Sequence, residues 1–230
     1  MRPFFTYYGA KWRLAQALGP PRHDLVIEPF AGSAAYSTYY SVKRAILIDL
    51  NPTIVGVWDY LIRVSVKEIM RLPANIMSVD DLSSSVCPEA KALVGFWMNH
   101  GLAEPGRSRS NWARTPRRVA FFWSETIKHR IAVQLDGIRA WKVIHGNYDV
   151  APNVEATWHI DPPYSQAGKG TAYRFNTIDY RKLATWCRSR KGWVQVCEDS
   201  AADWLPFVPY TVLRTHRSNG YTAEAVWENE

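Results

Sequence analysis

A chain of 230 residues is long enough to bury one continuous core, and its three cysteines, odd in number and widely spaced, argue against a disulfide framework or a zinc cluster. The 28 Lys+Arg against 21 Asp+Glu give +7, which together with 11 Trp and 12 Tyr suits a polyanion whose bases can stack, or equally a soluble protein with an aromatic core. No apolar run reaches the length of a bilayer span and the opening MRPFFTYYGAKWRL has no signal-peptide core, so a soluble, unexported, cytoplasmic protein without membrane contact is expected.

Residues 24–40, DLVIEPFAGSAAYSTYY, begin as a continuous apolar run and pass through Gly and Ser into helix-compatible residues. That pattern predicts a buried strand, a small-residue turn and a helix. Residues 44–52, RAILIDLNP, repeat it, with Asp49 at the strand end and a proline that can open a helix continued by TIVGVWDYLIRV. Strand, helix, strand, acid, helix is the start of a doubly wound parallel sheet. Residues 69–123 are less regular and read as an inserted subdomain between catalytic segments 1–68 and 124–230. A helix over 124–138, strands at WKVIHG, ATWHI and WVQVCE, and a helix in TIDYRKLATWCRSR with Thr177 or Asp179 as cap resume the rhythm. The stretch FVPYTVLRTHRSNGYTAEAVWENE reads as two strands joined through a Ser-Asn-Gly turn, so a C-terminal antiparallel hairpin is expected to close the sheet.

The chemistry concentrates at strand ends. In WHIDPPYSQ two consecutive prolines remove two backbone donors and fix two φ angles, which makes a stiff elbow carrying Asp161, Pro162, Pro163 and Tyr164. The Asp161 carboxylate and the Pro162 carbonyl can each accept one N–H of an exocyclic amine, localising its lone pair for direct attack without a covalent enzyme intermediate. Tyr164 offers a face on which a base could stack. Gly32, with small neighbours, lets backbone N–H groups approach a ligand, while Asp49 can accept from ribose hydroxyls or cap the next helix. Residues 105–123, PGRSRSNWARTPRRVAFFW, hold five arginines and no acid. Arg107, Arg109, Arg114, Arg117 and Arg118 suit phosphates or guanine edges, Asn111 suits adenine, and Trp112 can stack or wedge. After the elbow, Lys169, Tyr173 and Arg174 lie in a Gly-containing loop able to close over a strand. The six histidines show no ligand spacing, so no metal is expected.

The order YYGAK, EPFAGSA, IDLN, a variable region, HGNYD and DPPY resembles the Dam-like D12 class (α group) of DNA adenine N6-methyltransferases. The resemblance implies a Rossmann-like, S-adenosylmethionine-dependent methyltransferase fold with an inserted target-recognition subdomain, which transfers a methyl group to adenine N6 in double-stranded DNA and releases S-adenosylhomocysteine. It places Tyr7, Lys11, Glu28, Phe30, Ala31, Gly32, Asp49, Asn147, Tyr148 and Asp161 around the cofactor. Three departures stand out: Tyr7 where the family usually has Trp, Ala34 at the second glycine of the turn, and Asn147 where Asp is common. Cytosine N4 as the target, an RNA substrate and an inactive DNA-binding module of the same fold are the other readings. A monomer is expected, with a dimer as the alternative, in a bacterial or phage setting such as restriction-modification.

Overall fold

Neighbouring residues of the central strands are buried in different apolar clusters, as the two-residue period of a strand covered on both faces requires. In β1 (Leu25–Glu28) Val26 joins the cluster of Phe4, Trp58 and Leu61, and Ile27 the cluster of Trp158, Leu183 and Val194. β2 (Arg44–Asp49) divides in the same way at Leu47 and Ile48. The computed structural model describes residues 1–115, 117–165, 172–214 and 221–229, with only the backbone at residues 13, 212–214 and 221–222.

The sheet has seven strands in the order β3-β2-β1-β4-β5-β7-β6, completed by β3 (Lys142–His145), β4 (Ala156–Ile160), β5 (Gly192–Asp199), β6 (Val208–Arg214) and β7 (Tyr221–Glu228). β1 to β5 run parallel, and the β6–β7 hairpin joins β5 antiparallel through β7. This is the mostly parallel, Rossmann-like α/β sheet with a closing hairpin. The Ser-Asn-Gly turn expected within the hairpin lies outside the described residues. Strand order reverses between β1 and β4, so their carboxyl ends flank the crevice where open α/β sheets bind ligands.

α1 (Ala15–Leu18) precedes β1, α2 (Ala35–Tyr40) follows it, and α3 (Pro52–Arg63) follows β2. Asn51 caps α3 by accepting from Thr53 N (3.0 Å); Asp49, the capping candidate in the sequence, is engaged elsewhere. α4 (Val66–Arg71) begins with a Ser65/Glu68 capping box and crosses the expected boundary at residue 69. α5 (Pro88–Phe96) packs on α3 and sends Leu93, Val94 and Phe96 into the cluster of Phe4 and Trp58, as do Trp97, Met98 and Trp123 beyond it. Residues 69–123 therefore share the apolar core of the α/β body, and among their described residues they add no strand to the sheet.

The helix expected over 124–138 is two pieces. α6 (Glu125–Ala132), capped by Ser124, is followed by a 3-10 turn over Leu135–Ile138, where Gly137 weakens continuation. α7 (Tyr180–Arg188) covers the opposite face, and its cap is Asp179, which accepts from Lys182 N (3.1 Å).

Candidate active site

The turn after β1 is assembled from buried polar contacts. Glu28 is buried, and its Oε1 accepts from Ser37 N (2.8 Å) in α2. Burial pushes its carboxyl up to about 7, against the opposing pull of the Ser37 bonds. Gly32 has φ 45°, and a Cβ there would stand 2.8 Å from the Tyr7 ring, so glycine is what lets that ring close over the turn. Ala34, at the N-cap of α2, adopts the same left-handed backbone with φ 43°. From α3 the Trp58 indole N–H donates to the Gly32 carbonyl (2.8 Å).

Asp49 ties this turn to the ends of β2 and β3. Its Oδ2 accepts from Gly32 N (2.9 Å) and its Oδ1 from Asn51 N (2.8 Å), while its backbone carbonyl accepts from Gly146 N (3.1 Å). A carboxylate has about four acceptor sites, so roughly half remain for a ligand hydroxyl. Burial raises the Asp49 carboxyl, opposed by those two backbone bonds.

The elbow after β4 is braced at several points. Lys11 Nζ stands 2.9 Å from Asp161 Oδ1, donates to the Gly9 carbonyl (3.1 Å), and lies 4.7 Å from the centre of the Tyr164 ring. Burial lifts Asp161 to about 6, with Lys11 opposing, so the acid is ionised at neutral pH. Burial is the largest single influence on Lys11 and disfavours its ammonium, but Asp161, Tyr164, Glu224 and Cys197 together outweigh it, Asp161 foremost, and hold Lys11 well above the ordinary range. The Tyr164 hydroxyl donates to Glu224 Oε2 on β7. Ser165 N donates to Glu198 Oε2 (3.0 Å), which also accepts from the Trp204 indole (2.9 Å), and the Tyr180 hydroxyl donates to the Pro163 carbonyl (2.6 Å).

Turn, Asp49 and elbow line one cleft of about 870 Å³, part of it open to solvent. The ten residues placed around the cofactor in the sequence, Tyr7, Lys11, Glu28, Phe30, Ala31, Gly32, Asp49, Asn147, Tyr148 and Asp161, all line it. The rings of Phe30 and Tyr148 stand 5.7 Å apart at one end, and His159, buried and kept neutral with its pKa lowered to about 3 by burial, lines the wall. Pro163 lines the cleft, whereas Pro162 and Tyr164 are not among its lining residues.

The residues expected to meet DNA are distributed differently. Asn111, Trp112, Arg114, Arg117 and Arg118 are exposed. Arg107 is exposed and paired with Asp80 (2.7 Å). Arg109 is not at the surface: it is 1% exposed, with Nη2 donating to the Trp123 carbonyl. Tyr173 and Arg174 line the cleft, and Lys169 lies outside the described residues. Among the described residues no group of His, Cys, Asp and Glu could hold a metal ion, and no helix is long and apolar enough to cross a membrane.

The family model of the D12 class N6 adenine-specific DNA methyltransferases matches residues 7–86, which contain Tyr7, Lys11, the Gly32 turn and Asp49. Over that span the chain is similar to that family. A DNA adenine methylase of Haemophilus influenzae is 33% identical over 61 residues, covering 25% of this chain and 21% of that protein. The chain thus spans about a fifth of the length of the curated relative it matches. Among solved structures, a conserved hypothetical protein of Streptococcus pyogenes aligns at TM-score 0.41 and 10% identity over 96% of this chain and 95% of its own. The rRNA methyltransferase aviRa of Streptomyces viridochromogenes aligns at TM-score 0.43 and 13% identity over 99% of this chain and 88% of its own.

Four residues of the site escaped the sequence reading: Trp58, Tyr180, Glu198 and Glu224. Glu198 had a signal, an acid near the end of the strand WVQVCE, the same placement that singled out Asp49. Glu224, flanked by alanines in an apolar strand, had a weaker one. Nothing local marks Trp58 or Tyr180 as more than packing residues.

Proposed function

We propose that the chain is a DNA adenine N6-methyltransferase that uses S-adenosylmethionine, with residues 69–123 as the part that reads the target. The observation carrying this is the convergence of the Asp161 elbow with the Gly32 turn and Asp49 in one cleft at the strand-order reversal.

The cleft suits the cofactor. Phe30 and Tyr148 supply aromatic walls for an adenine, and Asn147 an amide for a base edge. Asp49 keeps acceptor capacity for ribose hydroxyls, while Tyr7, Lys11, Glu28, Ala31 and Gly32 surround the methionine end. Bound there, the cofactor supplies an electrophilic methyl group on a sulfonium.

The chain's own contribution is orientation and electrostatics. Asp161, ionised at neutral pH, and the Pro162 carbonyl accept the two hydrogens of the target amine and turn its lone pair toward the methyl donor. The elbow holds these acceptors still because Tyr180, Glu198 and Glu224 fix Pro163, Ser165 and Tyr164 from three sides. Lys11 occupies one face of Tyr164, so a base that stacks on this ring uses the other face or displaces the lysine. Exposed Arg114, Arg117 and Arg118 supply phosphate contacts to double-stranded DNA.

The test is incubation with S-adenosylmethionine and unmethylated DNA, digestion to nucleosides and mass spectrometry. N6-methyldeoxyadenosine is expected. N4-methyldeoxycytidine keeps the elbow chemistry and changes the base, and methylation of RNA alone moves the substrate class. No methylated nucleoside from a chain that binds the cofactor and DNA overturns the enzymatic reading.

A further inference from the structure

Beneath the exposed arginines of residues 107–118, a run of four rings, Trp112, Phe122, His100 and Trp97, leads inward between the guanidinium groups of Arg118 and Arg130. Arg118 Cζ lies 3.8 Å from the Trp112 ring, and Trp112 meets Phe122 edge-on at 5.9 Å. Phe122 contacts His100 at 4.5 Å, His100 contacts Trp97 at 5.9 Å, and Arg130 Cζ lies 5.0 Å from Trp97. Arg109 joins from the side, its Cζ 5.9 Å from the Phe122 ring. The outer rung is open, with Trp112 53% exposed, while Arg109 is buried.

The polar atoms do not balance. Arg109 spends Nη2 on the Trp123 carbonyl, but its Nε and Nη1 are buried without a partner, as are Nε and Nη2 of Arg130. Among the described residues no carboxylate is within ion-pair distance of Arg109, Arg114, Arg118 or Arg130. Burial lowers Arg109 with no opposing charge, and His100 is lowered by burial and by Arg130. A buried guanidinium without an anion is costly, and proteins retain such groups where function needs the charge. Ring stacking recovers only part of that cost. Arg114 links the buried charge to the surface, since its Nε donates to the Arg109 carbonyl (3.0 Å).

We propose that the outer end of this ladder, where Trp112, Arg114 and Arg118 reach solvent, is a phosphodiester-binding site whose positive potential comes in part from the unpaired Arg109 guanidinium inside it. Planar guanidinium groups match paired oxyanion oxygens, and a charge in a low-dielectric interior is screened less than one in water. The choice of a phosphodiester among oxyanions rests on the DNA reading above.

The experiment is equilibrium binding of a fluorescent duplex oligonucleotide to the full chain across a salt series, without cofactor, with thermal unfolding in parallel. Arg109→Met, uncharged and of similar length, is expected to unfold at the native temperature or above, because an unpaired buried charge is gone. Its affinity for the duplex is expected to fall about tenfold at 0.1 M salt, with the slope of log K against log salt shallower by about one. Native affinity and slope in this variant overturn the proposal. Arg118→Met, at the exposed rung, tests the same site without touching the core, and native-like binding there overturns it even where Arg109→Met fails to fold. Methyl transfer is scored separately. A native chain that binds the duplex with the expected losses in both variants, yet transfers no methyl group, leaves this site standing and sinks the enzymatic reading. A native chain that methylates DNA while both variants bind as it does sinks this site alone.

Discussion

The ammonium of Lys11 stands 2.9 Å from Asp161 Oδ1, so the acid proposed to receive the substrate amine already faces a cation. That contact sets the protonation of the elbow. Burial raises Asp161 to about 6, and Lys11 keeps it from rising further. An acid that must accept a hydrogen bond is useful only when ionised. Methyl transfer is therefore expected to be flat above neutrality and to fall as pH drops through about 6. In Lys11→Met the carboxyl loses its opposing charge, and the acid limb moves to higher pH. Rates measured between pH 5 and 8 check this, and an acid limb at the same pH in both chains rules the coupling out.

Asp161→Asn keeps the size of the side chain but turns one acceptor oxygen into a donor. A loss of transfer of about two orders of magnitude or more is expected, the scale seen when a single preorganised electrostatic partner is removed. Cofactor binding by calorimetry reports separately whether the cleft survives. Near-native turnover excludes the proposed role.

Tyr164→Phe retains the ring and removes the hydroxyl that donates to Glu224. Glu224, 7% exposed, is left with an unanswered acceptor, so stability is expected to fall by about 1–3 kcal/mol. If Glu224 serves to fix the ring, KM for DNA rises in Tyr164→Phe and in Glu224→Gln while the cofactor dissociation constant stays put. A loss of stability with unchanged kinetics reduces the pair to a structural contact.

The turn after β1 offers two opposite substitutions. Gly32→Ala places a Cβ 2.8 Å from the Tyr7 ring on a left-handed backbone, and weaker cofactor binding with lower stability is expected. Ala34→Gly relieves the same left-handed backbone at φ 43°, worth roughly 1 kcal/mol and offset in part by the freer unfolded chain. Because Ala34 is buried in the core and glycine also removes its packed methyl, denaturant titration of Ala34→Gly should give a change within about 1 kcal/mol of zero; a loss well beyond that contradicts the strain.

Glu28 links the site to the stability of the fold. Its carboxyl is raised from 4.5 to about 7, so the native state holds the proton more tightly than the unfolded chain. The associated stability is present in full below about 4.5 and is lost as pH climbs to about 7. Glu28→Gln cannot ionise, and it should be more stable than the native chain above pH 7 by about 1–3 kcal/mol, with the difference vanishing toward pH 4.5. Urea midpoints at the two ends of that range decide it.

The sheet was legible because its strands announce themselves: LVIE and RAILID are apolar runs that end on acids, and ATWHI stops at two prolines that no ladder accommodates. Every cofactor-side residue named from motif order lines the cleft, those at strand ends because turns there are local and parallel strands bring them together, and Tyr7 and Lys11 from the segment before β1. The sequence misled where burial depends on distant partners. Arg109 sits among arginines that are exposed, yet it is buried beside Phe122 with its guanidinium bonded to the Trp123 carbonyl. Glu198 and Glu224 become braces through hydrogen bonds to residues far away in the chain, which no periodicity encodes. Within residues 69–123, α5 packs its apolar side on α3 and so shares the core of the α/β body, a long-range contact that local periodicity does not encode.

The hairpin that ends the sheet also sets a timetable. A ribosome delivers the Gly32 turn and Asp49 early, and these can fold onto each other while the rest of the chain is still being made. The elbow cannot mature then. Until β7 is synthesised, β5 remains an open strand edge and the Tyr164 hydroxyl has no Glu224 to receive it. A growing chain thus acquires the contacts of the Gly32 turn and Asp49 well before those that brace the Asp161 elbow, which wait until almost all of these strands have been made.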